Sequence, residues 1–234
     1  MKRKETKSLD DVQTVRLLKA LEDEPVKFRL AVEVLLFLGA RRGEVVGLKW
    51  EDVDFEHCTV NIDKAILYLP DKGIYEDTPK NETSNRVIKL PQSVMQKLQA
   101  YRKLQLQAQF AMGHLWEGEG HIFTQVNGKP MHPDTPSKWF GKFLKKHNAA
   151  INDRADLTAK EKRDMVFPNV SIHSLRHTNA SLLIAKGLNL RTIANRLGHA
   201  STDTTTKIYA HAIRTADAIA SDALEDILLH AKAQ

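Results

Sequence analysis

Apolar residues recur at helical spacing along most of the chain, and one stretch in its first half alternates instead. Val12, Val15, Leu18 and Leu21 predict a first helix, and Ser8 with Asp11 three residues on resembles a capping box at its start. A second helix is expected from Pro25, a residue tolerated at the first helical position, through an apolar run to Leu38. Gly39 reads as its stop. Glu44 to Trp50 reads as a short helix with Val45, Val46 and Leu48 inward.

From Val53 to Leu90 the period falls to two and β-branched residues dominate, in the runs Thr59-Val60-Asn61-Ile62, Ala65-Ile66-Leu67-Tyr68 and Arg86-Val87-Ile88. Turn-forming residues at Pro70 to Gly73 and at Asn81 to Asn85 separate the runs. One small antiparallel sheet within a helical chain is expected. Helical spacing returns from Gln92 to Phe110, and Asn127-Gly128 marks a turn after the apolar pair Ile122-Phe123. Pro133-Asp134 opens another helix reaching about Asn148. The polar stretch Asn152 to Asp164 reads as a surface insertion. Helices are then expected over Ser171–Lys186, Leu190–Leu197 and Asp203–Tyr209, with an Ala- and Leu-rich amphipathic helix over Ala212–Ala231. The fold class is α+β and mainly helical: residues 9–211 as one domain, 1–8 as a linker remnant, 212–234 as a C-terminal helix or tail.

Composition narrows the classes. The 234 residues are 42% hydrophobic and 27% charged, the balance of an ordinary globule rather than a disordered or fibrous chain. One cysteine, Cys58, rules out an intrachain disulfide and a multi-cysteine zinc site. The longest apolar run, Leu30 to Ala40, is broken by Glu33 and too short to span a bilayer. The basic N-terminus has no apolar segment after it, unlike a secretory signal, so a cytoplasmic protein is expected. The net charge of +6 hints at a polyanionic partner. It is unevenly spread, because residues 1–8 carry a net +3 and residues 210–234 a net −2.

Three polar clusters could carry chemistry. His173, Arg176 and His177 share one helical face and could offer an anion a guanidinium fork beside two imidazoles. A solvated basic face is the plainer reading. The i, i+4 histidines also permit zinc, but Arg176 between them would repel a cation. Leu197-Gly198-His199 followed by a Thr-rich segment ending in Tyr209 is the second cluster. Tyr209 could simply be packed, and residues 190–209 could form the helix-turn-helix of a transcriptional regulator. Gly39-Ala-Arg-Arg-Gly-Glu44 is the third. Arg41 and Glu44 are spaced for a helical-turn ion pair, worth a few tenths of a kcal/mol if exposed.

The order of these clusters is more specific than any one of them. Gly39 to Asp54 resembles the first arginine box of the tyrosine recombinases, or phage integrases. His173-Ser-Leu-Arg-His177 resembles their second box, and Leu197-Gly-His199 with Tyr209 their third. Thr78 to Pro91 resembles the β-hairpin segment bearing the family's lysine, and of Lys72, Lys80 and Lys89 only Lys80 matches the box. Likeness is greatest to integrases of temperate phages and conjugative transposons of low-GC Gram-positive bacteria.

The resemblance implies a site-specific recombinase acting on double-stranded DNA, with no metal or cofactor. Arg41 and Arg176 would clamp the scissile phosphate. His173 would assist there and could accept the nucleophile's proton, and His199 would hydrogen-bond a phosphate oxygen. Lys80 would protonate the leaving 5′-oxygen, and Tyr209 would attack phosphorus to give a 3′-phosphotyrosyl enzyme. The Arg-x-x-Glu spacing selects Arg41 over Arg42, which is then expected to face solvent. A type IB topoisomerase shares this chemistry and is the alternative enzyme. The family usually carries core-binding and arm-binding domains before the catalytic one, and neither is expected in this chain. A monomer when free and a tetramer on DNA are implied, with residues 212–231 docking in cis or on a neighbour.

Overall fold

The computed structural model describes residues 8–77, 85–199, 201, 202, 205, 206, 209 and 213. The linker remnant up to residue 7, Lys80 with its surrounding hairpin segment, and nearly all of the expected terminal helix lie outside the described residues.

Helix α1 (Asp11–Ala20) is capped by Asp10, whose carboxylate accepts from the Gln13 backbone N–H at 2.7 Å while the Gln13 side chain accepts from the Asp10 N–H at 3.2 Å. The cap is therefore Asp10 with Gln13, not Ser8 with Asp11. Of the expected stripe Leu21 is buried and Leu18 packs against the core, joined by the buried Leu17, whereas Val12 and Val15 are exposed. The Leu9 N–H donates to Thr178 Oγ1 at 2.9 Å and ties the segment before the helix to α7.

Helix α2 (Val26–Leu38) is the central element, with every residue from Leu30 to Leu36 buried. Its one buried charge, Glu33, is matched by Lys97 Nζ at 2.7 Å. Helix α3 (Arg42–Gly47) follows the Gly39 stop and buries Val45 and Val46 as expected. The alternating region then gives β1 (Val53–Asp54), β2 (Thr59–Ile62), β3 (Ala65–Leu69), β4 (Gly73–Asp77) and β5 (Arg86–Lys89). These form two sheets rather than one. β1, β2 and β5 pair antiparallel in that order, and β3 with β4 makes a separate hairpin. The break falls at Asp63 and Lys64, where Lys64 turns to Asp52 at 3.1 Å.

Helix α4 (Gln92–Met112) and helix α5 (Thr135–Asn152) lie where the spacing places them, flanking the fully buried pair Ile122 and Phe123. The polar stretch read as an insertion does lie on the surface, but it contains a helix. In α6 (Ala159–Met165) no residue is buried; its start is a Thr158–Glu161 capping box, and Lys162 Nζ ties it back to the Asn152 carbonyl at the end of α5 at 2.7 Å. Helices α7 (Ser174–Ala185) and α8 (Leu190–Leu197) complete the labelled elements, and Thr202, Thr205, Thr206 and Tyr209 are helical beyond them.

The main core runs from Leu9 to Leu175. A smaller apolar cluster joins Ala180 and Ile184 of α7, Ile193 and Leu197 of α8, and the ring of Tyr209. Among the described residues no helix is long and apolar enough to cross a membrane.

Candidate active site

A helix ends with unpaired carbonyls that need donors. At the C-terminus of α2 those donors come from α7 and α8. Asn179 Nδ2 donates to the Leu36 carbonyl at 2.9 Å, Arg196 to that of Phe37 at 2.6 Å, and Arg176 Nη1 to that of Gly39 at 2.8 Å. Gly39 itself has φ +62°, and a Cβ there would stand 2.7 Å from Asn179 Oδ1. The turn that carries Arg41 is thus fastened to the helix that carries Arg176.

Arg41 lies at the start of α3. Its backbone N–H donates to Glu44 Oε2 at 2.7 Å, and its guanidinium pairs with Oε1 at 2.8 Å. The expected ion pair is present, but it is not the exposed kind, because Glu44 is buried and has a second partner. Arg86 Nη2 reaches Glu44 Oε2 at 2.7 Å, and Arg86 Nε donates to the Arg196 carbonyl at 2.9 Å. Burial alone would raise the Glu44 pKa. The hydrogen bond and charge of Arg86, followed by those of Arg41, outweigh it and hold the carboxyl below its ordinary range. Arg42 is not simply solvated: it turns away to Asp134 at 2.8 Å and to Ser137 Oγ at 3.0 Å.

The plainer reading of the second cluster, a solvated basic face, does not hold. Arg176 and His177 are buried, with His173 at the more open first turn. An arginine and an imidazole can be buried there because each has a partner, Gly39 for one and Tyr209 for the other. His177 Nδ1 and the Tyr209 hydroxyl are 2.9 Å apart. The edge of one imidazole faces the other, with the His173 and His177 ring centres 5.0 Å apart. His199 follows the left-handed Gly198 at the end of α8, and its Nδ1 lies 2.9 Å from Thr205 Oγ1.

Electrostatics bind these groups into one site. Arg176 is lowered to about 10 by burial and then by the charge of Arg41, and so stays cationic at neutral pH. His173 is pushed down by burial, Arg176, Arg41 and Arg42. His177 falls to about 4 through burial, His173 and Arg176. His199 falls to about 4 through burial, Arg176, Arg41, His177 and Arg86. Tyr209 is pushed up to about 12 by burial, against the pull of Arg176. The imidazoles are therefore neutral donors and acceptors, and among the described residues the guanidiniums of Arg41, Arg86 and Arg176 gather around the carboxylate of Glu44. An excess of positive charge around neutral polar groups is a site for an anion.

Of the residues singled out in the sequence, Arg41, His173, Arg176, His199 and Tyr209 come together, and Lys80 lies outside the described residues. No group of three His, Cys, Asp or Glu side chains among the described residues could hold a metal ion. Sequence reasoning missed two participants. Arg86 had a signal: it pairs with Ile62 and shares the buried face of its strand with Ile88, an unusual place for a cation. His177 was in view beside Arg176, but nothing local connects it to a tyrosine 32 residues away.

Known proteins share this arrangement at the level of fold. The Tn1549 transposon integrase, solved in complex with transposon right-end DNA, superposes with a TM-score of 0.74 at 24% identity, over 96% of this chain and 68% of that one. XerA recombinase gives a TM-score of 0.63 at 20% identity, over 92% and 63%. In sequence, a XerC-like tyrosine recombinase of Caldanaerobacter subterraneus is 27% identical across 96% of this chain, and the ICEBs1 integrase of Bacillus subtilis 26% across 91%. The integrase of Staphylococcus phage L54a is 30% identical across 85%. The chain spans about half the length of these relatives, 55%, 52% and 51%. Residues 7–215 match the model of the phage integrase family, and the chain belongs to that family.

Proposed function

We propose that this chain is the catalytic part of a site-specific DNA recombinase, which cuts and rejoins strands of double-stranded DNA to integrate and excise a mobile element. The observation that carries the reading is the convergence of Arg41, Arg176, His173 and His199 on one electropositive site with a buried tyrosine hydroxyl beside it. A helix-turn-helix regulator would have no use for that convergence.

The chemistry follows from the charges. A phosphodiester carries one negative charge, and attack on phosphorus increases it. Guanidiniums already in place stabilise that growth without reorganising. Arg41, half-exposed, and Arg176, held at its Gly39 partner, are the clamp for the non-bridging oxygens. Neutral His173 and His199 complete it as hydrogen-bond donors. The Tyr209 oxygen attacks phosphorus as the bond to the 5′-oxygen breaks, which leaves a 3′-phosphotyrosyl enzyme and a 5′-hydroxyl. The covalent link conserves the energy of the phosphodiester, so a new strand can rejoin it without ATP. Lys80 as the acid for the leaving oxygen rests on the family resemblance of its segment.

Glu44 acts through Arg41 and Arg86, holding the clamp in place. Assembly to a tetramer on DNA from a free monomer, and action at the nucleoid in the cytoplasm, belong to the same reading. Nicked suicide substrates test it: wild-type protein should accumulate a covalent adduct, and Tyr209→Phe should abolish it with the fold intact by circular dichroism. An adduct that survives Tyr209→Phe would overturn the assignment. Light scattering of the same mixtures reads the assembly.

A further inference from the structure

A tyrosine hydroxyl is a weak nucleophile until it loses its proton, and Tyr209 is harder to ionise than most. Burial against α7 and α8 pushes its pKa to about 12. Something close to the oxygen must take the proton as the bond to phosphorus forms. Family resemblance suggests His173 for that task. The geometry suggests another group.

The partner of the Tyr209 hydroxyl is the ring nitrogen Nδ1 of His177, at 2.9 Å. This is within the distance over which a proton passes directly. The corresponding nitrogen of His199 is occupied by Thr205 Oγ1. His173 presents its ring to the ring of His177, on the side of Arg41 and Arg42 whose charges act on it. The three imidazoles are thus divided, two toward the anion site and one toward the nucleophile.

We propose that His177 is a further catalytic residue, the base that takes the proton of Tyr209. The inference rests on the recombinase reading and deepens it. In the forward step the Tyr209 oxygen–phosphorus bond forms, the phenolic proton passes to His177 Nδ1, and the phosphorus–O5′ bond breaks with its electron pair leaving on O5′. That oxygen takes a proton from the general acid or from water. In the return step the attacking 5′-hydroxyl expels the phenolate, and His177 gives the proton back to it. For this the resting ring must carry its own proton on Nε2, with a free lone pair on Nδ1.

The surroundings of His177 explain how such a base is kept idle. Burial first, and then the charges of His173 and Arg176 beside it, hold it neutral and weakly basic, at about 4. Tyr209 faces it from the segment after α8, and His199 lies near enough to be acted on by it. A phosphate bound between Arg176 and Arg41 offsets the Arg176 charge, the part of that depression that comes from neither burial nor His173. The base strengthens when substrate arrives, and the free enzyme does not ionise its nucleophile.

Two measurements test the proposal on the full chain. The first needs no DNA. In ¹⁵N-histidine-labelled protein, with the His177 ring identified by its loss in His177→Asn, Nδ1 should be unprotonated and its shift should move in Tyr209→Phe. A protonated Nδ1 would overturn the proposal whatever the protein does to DNA. The second follows adduct formation on nicked DNA. His177→Ala should slow it about 100-fold at neutral pH, the usual scale for loss of a base, and added imidazole should restore part of the rate. His177→Asn keeps a hydrogen-bonding group near the hydroxyl and should preserve the melting temperature, yet remain slow. A substrate with sulfur in place of the leaving 5′-oxygen should not rescue either variant, because the defect lies in the nucleophile. Rescue by sulfur, or a wild-type rate in His177→Ala, would overturn the assignment. Absence of any adduct with wild-type protein would overturn the recombinase reading itself, which the ring measurement distinguishes from an error about His177 alone.

Discussion

At the scale of single residues, the site is governed by which groups remain uncharged. His177 and His199 are held neutral, each at about 4, by burial and by neighbouring positive charge. In the unfolded chain they would titrate near 6.5. Between those values the unfolded state binds more protons than the native state, so stability falls as the pH drops from about 6.5 toward 4. Glu44 has the same sign. Its folded pKa is depressed, so its contribution is present above the ordinary carboxyl pKa and lost as the pH falls through the lowered value. The urea midpoint should therefore be lower at pH 5 than at pH 7, and the difference should shrink in His199→Asn. A midpoint that did not move over that range would show the imidazoles to be protonated in the native protein.

At the scale of elements, the decisive contact is the end of α2. Three side chains from α7 and α8 satisfy its last carbonyls, and the same contacts bring Arg176 alongside the turn that leads to Arg41. Gly39 allows this because its positive φ needs no Cβ and because a Cβ would collide with Asn179. Gly198 plays the parallel part at the end of α8, where a Cβ would stand 2.9 Å from Arg86. Gly39→Ala combines left-handed strain with that collision, a cost of about 2 kcal/mol. For a chain of this length that corresponds to a fall of roughly 4–8 °C in melting temperature by calorimetry. The variant should also slow adduct formation, since Arg41 is two residues away.

At the scale of the whole molecule, the net charge of +6 is less informative than its placement. Many basic residues are matched by carboxylates, as Arg42 is by Asp134 and Lys97 by Glu33. Around Glu44, among the described residues, positive charge gathers locally: Arg41 and Arg86 both pair with its carboxylate, and Arg176 stands near enough for their charges to act on it. That local excess is what a DNA phosphate would neutralise, releasing counterions as it does. Arg41 is the half-exposed member and can be removed with least disturbance to the core. Arg41→Ala should weaken binding to any DNA sequence and reduce the slope of log affinity against log salt by about 1 in fluorescence anisotropy. An unchanged slope would place Arg41 away from the phosphate.

Much of this protein is determined by its sequence alone. The α2 run from Val26 to the Gly39 stop, the alternating strands, and the order of the arginine, histidine and tyrosine boxes are local patterns, and local patterns depend on spacing and backbone preference. Even α6 had its capping box in plain view. What only the tertiary structure decided is whatever two distant segments decide together. In α1 the periodic Val12 and Val15 stay exposed while Leu17 and Leu21 are buried, and periodicity alone does not separate them. One expected sheet became two because β2 pairs with the distant β5 while β3 pairs with β4. Glu44 turned from a surface partner into a buried one because β5 brings it Arg86. His177 and Tyr209, 32 residues apart, become neighbours only when α7, α8 and the segment after them close around a small apolar cluster. A charge or a hydroxyl takes its chemistry from what surrounds it, and those surroundings come from parts of the chain that its own neighbourhood does not specify.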